Sequence, residues 1–159
     1  MKKNQKGFSL IELLIVVAII LIIAAIAIPN LLRSRMAANE ASAVGSLRTI
    51  NTAEVTYATT YNSLGFAGLT ALGGAAPCTS ATSTASCLLD DVLSATAANK
   101  SGYHFTVTPG TQTPVVTYTS VATPVVVGQS GQRAFCSDQS GVIRNNATGT
   151  SCGPSDSAL

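Results

Sequence analysis

Residues 8–30 read FSLIELLIVVAIILIIAAIAIPN, and the fold turns on this stretch. From Phe8 to Ile28 an apolar run of 21 residues is interrupted only by Ser9 and Glu12. As a helix rising about 1.5 Å per residue it spans about 31 Å, the thickness of a bilayer core. Pro29 has no N–H to donate and its ring crowds the carbonyl of Ala25, so a kink is expected there. Helical signals then resume. Val44, Leu47, Ile50, Ala53, Tyr57 and Tyr61 recur at spacings of three and four, with Arg48, Asn51 and Glu54 between them. That is the pattern of an amphipathic helix packing on a folded head. The spacing predicts one helix of roughly 50 residues, bent at Pro29 and ending near Tyr61, where Asn62 and Gly65 break it.

Beyond that helix the sequence changes character. Gly73 and Gly74 punctuate a stretch from Gly65 to Asn99 that promises little order, and Thr79 to Ser86 is a low-complexity run of Ser, Thr and Ala. Leu88 to Leu93 reads as a short helix. After Gly102 the period becomes two: Tyr103, Phe105 and Val107 alternate with His104, Thr106 and Thr108. Val115 to Val121, Val125 to Val127, Arg133 to Cys136 and Val142 to Arg144 read as further strands between Pro/Gly/Ser turns. Three or four of these are expected to pair as an antiparallel sheet, with the tail from Asn145 onward held only by Cys152. The fold class is therefore α+β: a long bent N-terminal helix packed at its C-terminal half on a small antiparallel sheet. The segments are 1–7, 8–28, 29–61 and a head at 62–159, and 159 residues leave room for a single core.

Charged residues make up 10% of the chain, a fraction that fits a membrane-tethered or exported protein better than a cytosolic enzyme. Lys2, Lys3 and Lys6 account for the formal +2 charge; without the first seven residues six basic side chains face seven acidic ones. Such a body has no electrostatic footprint for nucleic acid. Cys78, Cys87, Cys136 and Cys152 contain no C-x-x-C pair of the zinc or redox kind. In an exported chain they point to disulfides, and joining Cys78 to Cys87 and Cys136 to Cys152 closes two local loops. The other connectivities, and four reduced thiols, stay open at this level.

The amino terminus, MKKNQKG followed by FSLIELLIVVAIILIIAAIAIPN, resembles the class III signal of type IV prepilins and type II secretion pseudopilins. The likeness joins a short basic leader ending in Gly7, a Phe at position 8, Glu12 five residues into the remainder, and Pro29 after the apolar run. It covers residues 1 to about 60. The resemblance implies that a prepilin peptidase/methylase cuts between Gly7 and Phe8 and methylates the new Phe8 amine. Gly7 offers no side chain to obstruct a protease cleft. The leader lysines hold their end inside by the positive-inside rule. The family also assigns the glutamate at the position of Glu12 to assembly, where it meets the amine of an incoming subunit. Many pilins carry a glycine near the middle of the apolar helix; here there is none, so Pro29 alone supplies any weak point.

The resemblance implies a structural subunit of an extracellular type IV pilus-like filament, serving adhesion, motility or DNA uptake. It is held in the inner membrane before assembly and displayed at the cell surface afterwards. Identical subunits, the peptidase and an inner-membrane assembly platform are the expected partners, and no cofactor is expected. A type II secretion pseudopilin is the alternative within the class. From another class stands a secreted soluble binding protein or enzyme with an ordinary signal peptide, since Ala25-Ile26-Ala27 imitates a cleavage site. An acidic residue costs about 3 kcal/mol at mid-membrane, and each Leu, Ile or Val returns roughly 0.3–0.6. Insertion therefore survives Glu12 without requiring it. A thiol–imidazole site of His104, Cys136 and Asp138 is the only catalytic candidate, and a disulfide accounts better for Cys136. Calcium bound at Asp138, as in major pseudopilins, would need about six to eight oxygen ligands, so a hairpin turn with Gly141 is the simpler reading and no metal is expected. Asn146-Ala147-Thr148 fits an N-glycosylation pattern, and the run at 79–86 suits O-linked sugar or a plain surface loop.

Overall fold

The structure is a computed structural model that describes residues 8–74 and 77–159. Helix α1 runs from Leu10 to Thr60 and contains Pro29 without a break in helical assignment. Its end is set locally. Tyr61 N–H still donates to Tyr57, and Gly65 then donates back to Tyr61. Gly65 has φ +82°, a left-handed conformation suited to glycine, and a Cβ there would strike the carbonyl of Val115.

Contacts divide the chain into two compact units, one up to Arg35 and one from Met36 to Leu159. In the second unit α1 buries Ala43, Ser46, Leu47, Ile50, Ala53, Glu54 and Tyr57, residues recurring at three- and four-residue steps. Glu54 corrects the sequence reading, which set it among the polar positions between the apolar ones. The helix carries it into the core because it lies four residues after Ile50 and three before Tyr57, on the stripe that faces inward.

The sheet has six strands in sequential order: β1 Ala98–Lys100, β2 Tyr103–Pro109, β3 Tyr118–Pro124, β4 Ala134–Asp138, β5 Arg144–Asn146 and β6 Ser157–Ala158. All neighbours pair antiparallel, with Phe105 opposite Ala122 and Val121 opposite Cys136. Alternation on β2 places Tyr103 and Phe105 in the core. They meet Phe135 of β4 with Leu47 and Ile50 of α1, plus Leu72 of the short helix α2 (Leu69–Leu72) and Leu93 of α3 (Asp91–Ser94). Burying each such side chain contributes about 1.5–3 kcal/mol.

The differences from expectation have local causes. Six strands form rather than three or four, because β1 and β6 are too short for a period to register. Val115 belongs to no strand: its N–H and C=O bond Leu64 and Phe66, so β3 starts at Tyr118. Val125 and Val126 bend and Val127 makes an isolated bridge to Gly131, leading into a turn over 128–130 in which Ser130 N–H donates to Val126 and Gly128 N–H to Gly131. The expected strand over Val142 to Arg144 is displaced to Arg144–Asn146. The short helix expected over Leu88 to Leu93 begins at Asp91. Asp90 caps it by accepting the Leu93 N–H at 2.8 Å, while the N–H groups of Leu88 and Leu89 bond the Leu72 carbonyl. The segment after Gly65 is likewise tied down, with Ser86 and Cys87 donating to Ala71 and Gly73. The tail is held by more than Cys152. Asp156 accepts from Asn146 and from Gly153 N–H, and β6 pairs with β5.

Candidate functional site

Gly7 and the leader lysines lie outside the described residues, so the site begins at Phe8, which is 78% exposed. Ser9 stands at the N-cap position of α1, and its backbone N–H donates to Glu12 Oε2 at 3.0 Å. Glu12 is the third residue of the helix. This is the backward half of a capping box, in which a carboxylate near the positive end of the helix dipole satisfies a donor that the helix leaves free. Sequence reasoning assigned Glu12 to assembly alone. The pattern Ser9-x-x-Glu12 before an apolar run was the signal that could have revealed the capping role.

Beyond the cap the unit is apolar on all sides. Within α1 an 18-residue window has mean hydropathy 3.3 and none of it is buried. Leu14, Leu21 and Ile26 are all more than 60% exposed, and exposure continues past Pro29 through Leu31 and Leu32. A helix hydrophobic all round, long enough to span a bilayer and uncovered by its own chain, requires an apolar environment from outside. Arg33 and Arg35 follow, both exposed.

In the head two carboxylates join α1 to what it packs against. Glu40 accepts from the N–H groups of Gln132 and Arg133 through Oε1, and from Arg133 Nε and Nη2 through Oε2 at 3.0 and 2.8 Å. Burial alone would raise its pKa. The Gln132 N–H and the Arg133 contacts outweigh that and hold it below the usual carboxylate range. Glu54 is fully buried, with Oε2 accepting the Ala67 N–H at 3.0 Å and Oε1 unpartnered. Desolvation pushes its pKa up to about 7 against the opposing effect of that hydrogen bond.

The four cysteines form two disulfides, Cys78–Cys87 and Cys136–Cys152. Cys136 is therefore no thiol nucleophile, and His104 instead meets Asn99 Oδ1 at 3.1 Å. Asp138 Oδ1 accepts from Ser140 N–H at 2.8 Å and from its hydroxyl, and Gly141 N–H donates to the Asp138 carbonyl. These bonds make the hairpin turn and engage one of the two carboxylate oxygens. Cys136, Cys152 and Asp156 lie close enough together to suit a metal, but the sulfurs are bonded to each other. Asn146 Oδ1 is taken by Thr148 in a local turn.

A capped apolar helix followed by an antiparallel sheet is the architecture that the resemblance to type IV pilins leads one to expect. The prokaryotic N-terminal methylation motif matches residues 2–28. Over 38 residues the chain is 66% identical to the type IV wide pilus major component PilA4 of Thermus thermophilus, covering 24% of this chain and 29% of that protein. Over 54 residues it is 44% identical to the type IV major pilin protein PilA of Myxococcus xanthus, covering 34% of this chain and 24% of that protein. The chain thus matches less than a third of the length of either relative. No solved structure matches it. These findings support the type IV pilin family, and the relatives' names are those of pilus components rather than enzymes.

Proposed function

We propose that the chain is the precursor of a structural subunit of an extracellular type IV pilus-like filament. It is inserted in the inner membrane through the segment 8–28 and polymerises through the same helix. The observation that carries this reading is an apolar helix exposed all round beside a carboxylate at its start. Such a surface leaves a bilayer only for another apolar environment, and a bundle of identical helices offers one. Cleavage between Gly7 and Phe8 by a prepilin peptidase/methylase would free the Phe8 amine one helical turn from Glu12. In a staggered bundle the amine of an incoming subunit would then meet Glu12 of its neighbour, with an inner-membrane platform driving the step and adhesion, motility or DNA uptake as the use. Intact mass of the mature protein tests it. A chain starting at methylated Phe8, together with fibres sheared from cells, is expected. A chain starting at Ile28 would exclude the reading.

A further inference from the structure

We infer that Arg33 and Arg35 form a cationic collar that binds the anionic phosphate headgroups of the outer leaflet while the subunit waits in the membrane. This deepens the membrane-inserted reading and rests on it. Glu12 and Arg33 are 21 residues apart on one helix, about 31 Å along its axis and close to the roughly 30 Å of a hydrocarbon core. With Glu12 at the inner interface, the arginines stand at the outer headgroups. Leu31 and Leu32, both over half exposed, carry the apolar surface up to them without a gap.

Among the described residues no carboxylate pairs with either arginine: the ion pairs are Glu40 with Arg133 and Asp90 with Lys100. Glu40, the next acidic residue along α1, already has both oxygens occupied by Gln132 and Arg133. Positions 33 and 35 differ by about 200° around a helix of 3.6 residues per turn, so the guanidinium groups leave on opposite sides. A single acidic side chain on one neighbouring protein would satisfy one of them. Headgroups surround a lone helix and reach both, and a guanidinium takes phosphate oxygens bidentately.

The charge order strengthens the point. Lys2, Lys3 and Lys6 orient the precursor, but after cleavage the remaining basic side chains beside the apolar run lie on the outer flank, against the usual bias. Two arginines carried to that side have a use there, and fixing the depth of the helix is the use their position allows.

Spin-label partitioning tests the inference on the full chain reconstituted in phosphatidylcholine vesicles. A trace of spin-labelled phosphatidylglycerol or phosphatidylcholine reports the lipid at the protein surface. A basic side chain near an anionic surface raises local affinity roughly fivefold. The wild type should therefore favour phosphatidylglycerol several-fold in low salt and lose most of that preference in high salt. With Lys2, Lys3 and Lys6 replaced by Gln in every protein compared, so that the leader adds nothing, the double variant Arg33→Gln/Arg35→Gln should lose the preference, and Arg33→Lys/Arg35→Lys should keep most of it. An unchanged preference in the Gln variant overturns the collar, as does a Gln variant that selects lipid normally yet yields no fibre, which would assign the arginines to subunit contacts. Failure of the wild type to enter vesicles at all would instead overturn the membrane reading on which the collar rests.

Discussion

Glu54 gives the sharpest quantitative test. Its carboxyl is fully buried on the inner face of α1, holds the Ala67 N–H with one oxygen and leaves the other unpartnered. Among the described residues the ionisable side chains that feel it are the tyrosines Tyr57 and Tyr118, and no lysine or arginine acts on it. Burial pushes Tyr118 up to about 12, so that hydroxyl stays neutral and adds no charge beside the carboxyl. The carboxyl of Glu54 rises from 4.5 in the open chain to about 7 in the fold. The sign follows from proton linkage. Below pH 4.5 both states are protonated and no penalty exists; between 4.5 and 7 the unfolded chain ionises first and stability falls; above 7 the penalty is complete. The shift corresponds to about 3 kcal/mol, a large part of the ~5–15 kcal/mol of an ordinary domain.

Glu54→Gln removes the charge while keeping an amide oxygen for the Ala67 N–H. Its NH2 group replaces a carboxylic OH that also lacks a partner, so variant and wild type should be close in stability near pH 4.5. At pH 8 the variant should be more stable by about 3 kcal/mol. The assay is urea unfolding of the detergent-solubilised full chain from pH 4.5 to 9, followed through tyrosine near-UV dichroism, with the variant-minus-wild-type difference isolating this one group. A difference that does not change with pH would refute the reasoning, because the buried carboxyl would then be shown to ionise as freely in the fold as outside it.

Glu40→Ala leaves Arg133 and two backbone N–H groups without their acceptor; with Arg133 part exposed, a loss of about 1–2 kcal/mol is expected by urea titration. Replacing Cys136 and Cys152 by Ser opens a loop of 15 intervening residues and should lower stability by about 3 kcal/mol on the chain-entropy estimate, read by unfolding under non-reducing conditions. Gly131→Ala would drive a Cβ into the Tyr103 hydroxyl, which donates to the Arg133 carbonyl at 2.8 Å. A loss of about 2 kcal/mol or more should follow, whereas Gly141→Ala, which meets no neighbour, should lose less and only through its positive φ. Glu12→Ala should leave the head folded and membrane insertion intact yet lose most assembly, measured as sheared fibre against membrane-held subunit; wild-type fibre yield would remove Glu12 from assembly.

Legibility in the sequence followed the length of each element. Helix α1 repeats its signal over many turns, so its end near Tyr61 and its inner stripe of Leu47, Ile50 and Tyr57 could be read directly. Strand β2 alternates over seven residues and was equally plain. Strands β1 and β6, of three and two residues, carry no period and exist because β2 and β5 offer them an edge. Val125 to Val127 misled because β-branched residues favour strands, whereas the Ser130 hydroxyl takes the Val126 N–H and fixes a turn. Glu54 misled because polarity was weighed before position. The stripe fixes where a side chain points, and the chemistry of the residue then adapts through its pKa.

Seventeen large apolar side chains from Phe8 to Leu32 are close to half exposed or more, and at about 1 kcal/mol each their cover is worth on the order of 20 kcal/mol. That exceeds the folding stability of a typical domain, so the environment of this helix, and not the head, decides where the chain resides. Exchanging lipid for a bundle of like helices replaces one apolar surround with another, and the hydrophobic term nearly cancels between the two. What remains to favour one state over the other is the small set of polar groups along the helix. Glu12 and the Phe8 amine would gain a partner in the bundle, while Arg33 and Arg35 would give up phosphates on leaving the bilayer. The balance of assembly is therefore expected to respond strongly to substitutions at those four positions and weakly to exchanges of Leu for Ile between them.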